Sequence, residues 1–88
     1  MLNIVVLVSG GGTNLQALLD AEDAGEIKNG QIIHVISSSR QAYAIERARS
    51  HGISTTVLER SEFKSSAEFD AELLKVLDSC QADLVVLA

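Results

Sequence analysis

Residues 3–8 form an apolar run rich in β-branched side chains, and three consecutive glycines, Gly10–Gly12, follow it closely. An apolar run without polar alternation is typical of a strand that is buried on both faces, as in a parallel sheet. Beyond the glycines the apolar spacing becomes helical, since Leu15, Leu18 and Leu19 share one helix face. The pattern therefore predicts a strand, a tight turn and a helix.

The same alternation continues to the end of the chain. Further strands are predicted at residues 31–36, 54–58 and 84–87, and a further helix at roughly residues 42–50. A last helix, opening after Ser65, carries an apolar stripe from Phe69 to Cys80. Ser65 and Glu68 match a capping box at the start of the last helix. The order β-α-β-α-β-α-β predicts an α/β fold with a doubly wound, Rossmann-like parallel sheet. We expect the third strand, which is short and polar, near a sheet edge. The fourth strand has the apolar run of a buried strand, and as the last element it would expose an unpaired edge.

Composition narrows the class of protein. The chain has 88 residues, of which 47% are hydrophobic, and a net charge of −5. This predicts one small globular domain and argues against binding to nucleic acid or to an anionic membrane, both of which need a basic surface. The single cysteine, Cys80, and the lack of a recognisable signal peptide predict a cytoplasmic protein. The apolar segment 82–88 ends without closing polar residues, so we expect a fragment of a longer protein.

The glycine turn predicts an anion site. In open α/β sheets the first helix points its N-terminus, with unpaired N–H groups, at the ligand edge. Glycines let the backbone approach a ligand closely, and the side chains of Thr13 and Asn14 add donors. The predicted site comprises Gly11, Gly12, Thr13 and Asn14. The alternative is a tight turn that binds nothing.

The sequence constrains the identity of the bound anion less tightly than the position of the site. A Walker A loop is excluded because no Lys-Ser/Thr pair follows the glycines. The dinucleotide fingerprint is only partly met, since Leu15 stands at its last glycine position. The cluster Ser37–Arg40 could take a 2′-phosphate, which keeps an NADP-binding oxidoreductase domain as an alternative. A simple phosphomonoester fits the turn better.

Other reactive residue types are interpreted as structural. His34 lies within the second strand, His51 follows the second helix, and Cys80 lies on the apolar stripe of the last helix. A solvated helix face accounts for Glu46, Arg47 and Arg49. We expect no metal site, because no Cys/His spacing resembles one.

Several stretches together resemble the glycinamide ribonucleotide formyltransferases, which are folate-dependent transferases of purine biosynthesis. The stretches are NIVVLVSGGGTNLQALLDA at residues 3–21, ERAR followed by HGI at residues 46–53, the FD-EL pattern at residues 69–73, and ADLVVLA at residues 82–88. The resemblance covers essentially the whole chain in the same order. It implies the N-terminal half of a formyltransferase fold.

The resemblance also implies roles for particular residues. Gly12, Thr13 and Asn14, with Gly11 beside them, would bind the phosphate of the substrate glycinamide ribonucleotide. The family often has an Arg that contacts 10-formyltetrahydrofolate just before the last helix. Ser66 occupies the matching position here and Lys64 lies two residues earlier, so these two are the candidate folate contacts.

The family's catalytic Asn, His and Asp come later than the positions matched here. We therefore expect residues 1–88 to be the phosphate-binding half of the domain, with no catalytic residue and no activity on their own. The longer protein would transfer a formyl group from 10-formyltetrahydrofolate to the amine of glycinamide ribonucleotide. A protein resembling methionyl-tRNA formyltransferase is a further alternative, disfavoured by the acidic charge of the chain.

Overall fold

A computed structural model describes residues 1–8, 13–38 and 43–88, and at Thr13 the backbone only. Seven main elements follow one another in the chain: β1 (Leu2–Val8), α1 (Thr13–Asp23), β2 (Gly30–Ser37), α2 (Tyr43–Ser50), β3 (Ser54–Val57), α3 (Ser66–Cys80) and β4 (Leu84–Leu87). A short 3-10 turn, Arg60–Glu62, precedes α3 and was not predicted. The predicted order of strands and helices is confirmed.

The strands form one sheet in the order β3-β2-β1-β4, and every neighbouring pair is parallel. The predicted parallel α/β sheet is confirmed, and β3 lies at an edge as its polar sequence indicated. The β1–β2 register shifts by one residue, because Ile4 pairs with Ile32 whereas Val5 pairs with His34. Ile33 is thus the extra residue of a bulge.

Helices cover both faces of the sheet. Leu15 and Leu19 of α1, with Ala44 and Ala48 of α2, pack on one face. Phe69 of α3 packs on the opposite face, together with the partly buried remainder of its predicted apolar stripe. None of the helices in the described residues has the length and apolar composition needed to cross a bilayer.

The N-terminus of α3 is fixed by its side-chain cap. The Ser65 hydroxyl accepts a hydrogen bond from the N–H of Glu68 at 3.3 Å, as the capping box predicted. The Glu68 carboxylate accepts in return from the N–H of Lys64 at 3.1 Å, one residue before the cap itself. The two bonds fix the direction in which the chain enters α3.

β4 has the unpaired, exposed edge that we expect of a last strand, whereas the burial that its apolar run indicates is not found within residues 1–88. β4 pairs with β1 only, at an edge of the sheet, and Leu84, Val85 and Leu87 are 45%, 39% and 80% exposed. Asp83 ties the start of this strand to β1, because its carboxylate accepts from the N–H of Asn3 at 2.8 Å. An apolar run indicates that a strand can be covered on both faces, but it does not identify the elements that cover it.

The cap of α3 provides a test of stability. Replacing Ser65 by Ala removes the acceptor for the Glu68 N–H and should lower the free energy of unfolding by about 1 kcal/mol. Urea denaturation measures the change. Ser66→Ala is the matched control, since Ser66 is an exposed residue within the helix, and it should leave the midpoint nearly unchanged. Equal midpoints for the two variants would contradict the capping role of Ser65.

Candidate functional site

The carboxyl ends of β1, β2 and β4 meet at one edge of the sheet. Hydrogen bonds hold the chain where it leaves these strands: the N–H of Ser38 donates to the Val8 carbonyl at 3.0 Å, and that of Ala88 donates to the Leu7 carbonyl at 2.9 Å. Ligands of open parallel α/β sheets bind outside this edge. The candidate functional site lies here.

A cavity of about 350 Å³ opens at this edge, between the strand ends and α3. The ends of β1, β2 and β4 form one wall, and Phe69 and Leu73 of α3 form the other. Most of its described lining side chains are apolar, and the charged ones among them are Arg60 and Asp70. Its size and lining are typical of a pocket for a small organic molecule.

The predicted anion site follows β1 at the same edge. Gly11 and Gly12 lie outside the described residues, so their arrangement stays a prediction. Thr13 is the first residue of α1, and Asn14 is exposed in its first turn. The first N–H groups of a helix have no partner within it and carry a partial positive charge. The N-terminus of α1 therefore offers unpaired N–H groups and a partial positive charge to a phosphate bound at this edge.

Arg47 makes contacts that its interpretation as part of a solvated helix face does not predict. Its guanidinium donates to the Gln16 side chain at 3.0 Å and lies 5.4 Å from the centre of the Tyr43 ring. These contacts join the first turns of α1 to α2, while Glu46 and Arg49 are exposed as expected. Sequence periodicity could not reveal this contact, because it depends on how the two helices pack.

A second cavity, of about 220 Å³, lies at the start of α3. Ser65 and Ser66 line it together with Phe63, Phe69 and Arg60. Of the two residues that the resemblance pointed to as folate contacts, Ser66 therefore lies in a cavity wall. Lys64 is exposed and lines neither cavity.

Arg60 is the residue that sequence reasoning missed. It lines both cavities, and its guanidinium lies 4.6 Å from the centre of the Phe69 ring. It sits in the 3-10 turn, where no apolar periodicity marks it. In the sequence, Arg60 is distinguished only as a basic residue that lies a few positions before the capping box at Ser65.

His34 lies within the sheet, as predicted, and its role is structural. Its Nε2 lies 2.6 Å from the Thr56 hydroxyl on the neighbouring strand β3. Burial lowers the pKa of the His34 imidazole below its usual value of 6.5, because desolvation disfavours the charged ring. His34 is therefore a neutral hydrogen-bonding residue between two strands.

The other reactive residue types also have structural surroundings. The ring nitrogens of His51 face the Arg47 carbonyl at 3.0 Å and the Asp23 carboxylate at 3.1 Å, which links the ends of α1 and α2. Cys80 is half-buried against the core on the α3 face. Across residues 1–8, 13–38 and 43–88, no group of three or more metal-ligating side chains is found.

The chain belongs to the formyl transferase family, whose model matches residues 2–88. It is 46% identical over 87 residues to the phosphoribosylglycinamide formyltransferase of Escherichia coli, covering 99% of this chain and 41% of that protein. It is 41% identical over 88 residues to the enzyme of the same name from Haemophilus influenzae, covering all of this chain and 41% of the relative.

Solved structures give the same result. The glycinamide ribonucleotide transformylase 1 of Symbiobacterium toebii superposes with a TM-score of 0.93 at 43% identity, over 100% of this chain and 41% of that chain. The phosphoribosylglycinamide formyltransferase of Coxiella burnetii, in complex with CHES, gives a TM-score of 0.92 at 41% identity, over 99% and 40% of the two chains. The chain thus spans about two fifths of the length of these proteins. They do not support the NADP-binding or tRNA-directed alternatives.

The lowered pKa of His34 predicts a pH dependence of stability. The unfolded chain binds a proton at this residue near pH 6.5, whereas the folded chain resists protonation, so stability should fall as the pH decreases below about 6.5. His34→Gln should lack this contribution, whereas His51→Gln should retain it. Urea denaturation between pH 5 and pH 7.5 measures the difference. A parallel pH profile for wild type and His34→Gln would contradict the prediction.

Proposed function

We propose that this chain forms the phosphate-binding half, residues 1–88, of an enzyme that transfers a formyl group from 10-formyltetrahydrofolate to the amine of glycinamide ribonucleotide. The main support is the 46% identity to the E. coli phosphoribosylglycinamide formyltransferase across nearly the whole chain. The position of the N-terminus of α1, at the carboxyl edge of the sheet, agrees with this role. On this proposal the chain acts on a small molecule in purine biosynthesis.

The residues proposed to hold the ribonucleotide phosphate are Gly11, Gly12, Thr13 and Asn14. Backbone N–H groups at a helix N-terminus bind a dianion without needing a basic surface, which suits a chain with a net charge of −5. Binding the phosphate fixes one end of the substrate and so orients its amine. Orientation of this kind converts a reaction between two free molecules into one within a complex, which lowers the entropic part of the barrier.

On this proposal the apolar cavity at this edge would receive the planar ring system of a folate. When bound, 10-formyltetrahydrofolate would supply the activated formyl carbon that the amine attacks. The strand ends and Phe69 would exclude water from one side of that ring system, and Ser66 and Lys64 remain candidate contacts to its other end. We assign no catalytic side chain to this chain.

Ligand titration tests the proposal directly. Isothermal titration calorimetry of the chain with glycinamide ribonucleotide, inorganic phosphate and NADPH should give the tightest binding for the ribonucleotide. Inorganic phosphate shares only the anion, so the difference between the two measures recognition of the rest of the substrate. Tighter binding of NADPH would overturn the proposal.

Gly12→Val is the matching variant. An added side chain at this position would obstruct the approach of a phosphate to the backbone and should abolish binding of glycinamide ribonucleotide. Ala24→Val is the control, because it places the same valine side chain at an exposed turn after α1, beyond the C-terminal end of that helix. Circular dichroism verifies that both variants fold. Unchanged affinity in Gly12→Val would show that the turn does not bind the phosphate.

A further inference from the structure

Two polar contacts fix the C-terminal end of α1. The Glu22 carboxylate accepts from the N–H of Ile32 in β2 at 2.6 Å. The carboxylate of Asp23, the last residue of the helix, lies 3.1 Å from Nε2 of His51. Apolar packing against the sheet is not directional, so it does not by itself fix a helix along its own axis. Directional contacts of this kind do so, and here they join the end of α1 to β2 and to the end of α2.

The opposite end of α1, where the phosphate is proposed to bind, is joined to α2 by Arg47. Nη1 of Arg47 donates to Oε1 of Gln16 at 3.0 Å, and both side chains are half-buried. Gln16 is the fourth residue of α1, so the bond lies about one turn from the first N–H groups, which have no partner within the helix. Arg47 therefore holds the turn of α1 that adjoins the proposed anion site.

Both partners of this hydrogen bond are oriented by further contacts. The ring of Tyr43, one turn earlier in α2, lies 5.4 Å from the Arg47 guanidinium. Nε2 of Gln16 donates to the Asp20 carboxylate at 2.9 Å, which leaves the Gln16 amide oxygen to accept from Arg47. A guanidinium that lies over an aromatic ring loses little conformational freedom when it forms a hydrogen bond. The four side chains thus connect the first turn of α2 to the first turns of α1.

The position of this turn matters for a phosphate that is bound by backbone N–H groups. Each N–H···O hydrogen bond requires a donor–acceptor distance of about 2.7 to 3.2 Å. Backbone donors cannot adjust by rotating a side chain, so a small displacement of the start of the helix lengthens several of these bonds at once. A site that is already in its binding geometry also avoids the cost of ordering it when the ligand binds.

We propose that Arg47 is a positioning residue of the phosphate site and acts through Gln16, holding the first turns of α1 in the orientation that binds the ribonucleotide phosphate. This inference rests on the proposed function. Direct attraction of the phosphate by the positive charge of Arg47 is the alternative. The two mechanisms differ in their response to salt, which screens long-range attraction between charges much more than a half-buried hydrogen bond.

The test measures the affinity for glycinamide ribonucleotide by isothermal titration calorimetry. Arg47→Met keeps the length of the side chain but removes the donor, and it should weaken binding about fivefold, since the lost hydrogen bond acts through a neighbouring residue. Arg47→Lys, which retains a donor, should fall between. Gln16→Leu should weaken binding as much as Arg47→Met, and the double variant no further. Arg49→Met is the matched control, because it removes an exposed positive charge from the same helix and should leave the affinity unchanged.

Salt dependence and folding separate positioning from other causes. The fivefold ratio between wild type and Arg47→Met should persist when the ionic strength is raised from about 0.05 M to about 0.5 M. Each variant is titrated at a temperature where its circular dichroism matches that of the wild type, so that lower stability alone does not change the affinity. If Arg47→Met does not fold, Arg47→Lys and Gln16→Leu carry the test.

Each contrary outcome has a definite meaning. Unchanged affinity in Arg47→Met or in Gln16→Leu would overturn the positioning role, and so would losses that add in the double variant. A loss that disappears at high salt, or an equal loss in Arg49→Met, would assign the effect to charge alone. If the wild type does not bind glycinamide ribonucleotide, the proposed function fails and this inference with it. If the wild type and Arg47→Met bind it equally well, only this inference fails.

Discussion

The burial of β1 between two helical layers is the constraint on which the rest of the structure depends. Val5 and Val6 are both fully buried, and they belong to the cores on opposite faces of the sheet. Removing each such side chain from water contributes about 1.5 to 3 kcal/mol. Because β1 pairs with both β2 and β4, its position also sets the edge where all three strands end.

That edge determines where chemistry can take place. The carboxyl ends of β1, β2 and β4 lie there, and α1 is the helix that follows β1. The apolar cavity beside α3 lies at this edge, and the phosphate site that we propose would lie beside it. Backbone N–H groups at a helix N-terminus can bind an anion without a basic chain. This agrees with the net charge of −5 in a protein proposed to bind a phosphate ester.

The strands and helices were predictable because their signals are local. Apolar runs marked the strands, Leu15 and Leu19 marked the inward face of α1, and Ser65 with Glu68 marked the start of α3. The apolar run of β4 marked a strand but gave no information on which elements cover it. The glycine turn was the clearest functional signal in the sequence, and the roles of Gly11 to Asn14 stay predictions.

The sequence by itself determined the parallel α/β sheet and the family resemblance, which the family match and the solved structures confirm. It also predicted the edge of the sheet at which a ligand binds. These features follow from periodicity and from short motifs, each of which can be recognised within a few consecutive residues. The tertiary structure alone decided that Arg60 stacks on Phe69 and that Arg47 reaches Gln16. Contacts of this kind join residues from different elements, and their geometry exists only after the helices have packed on the sheet.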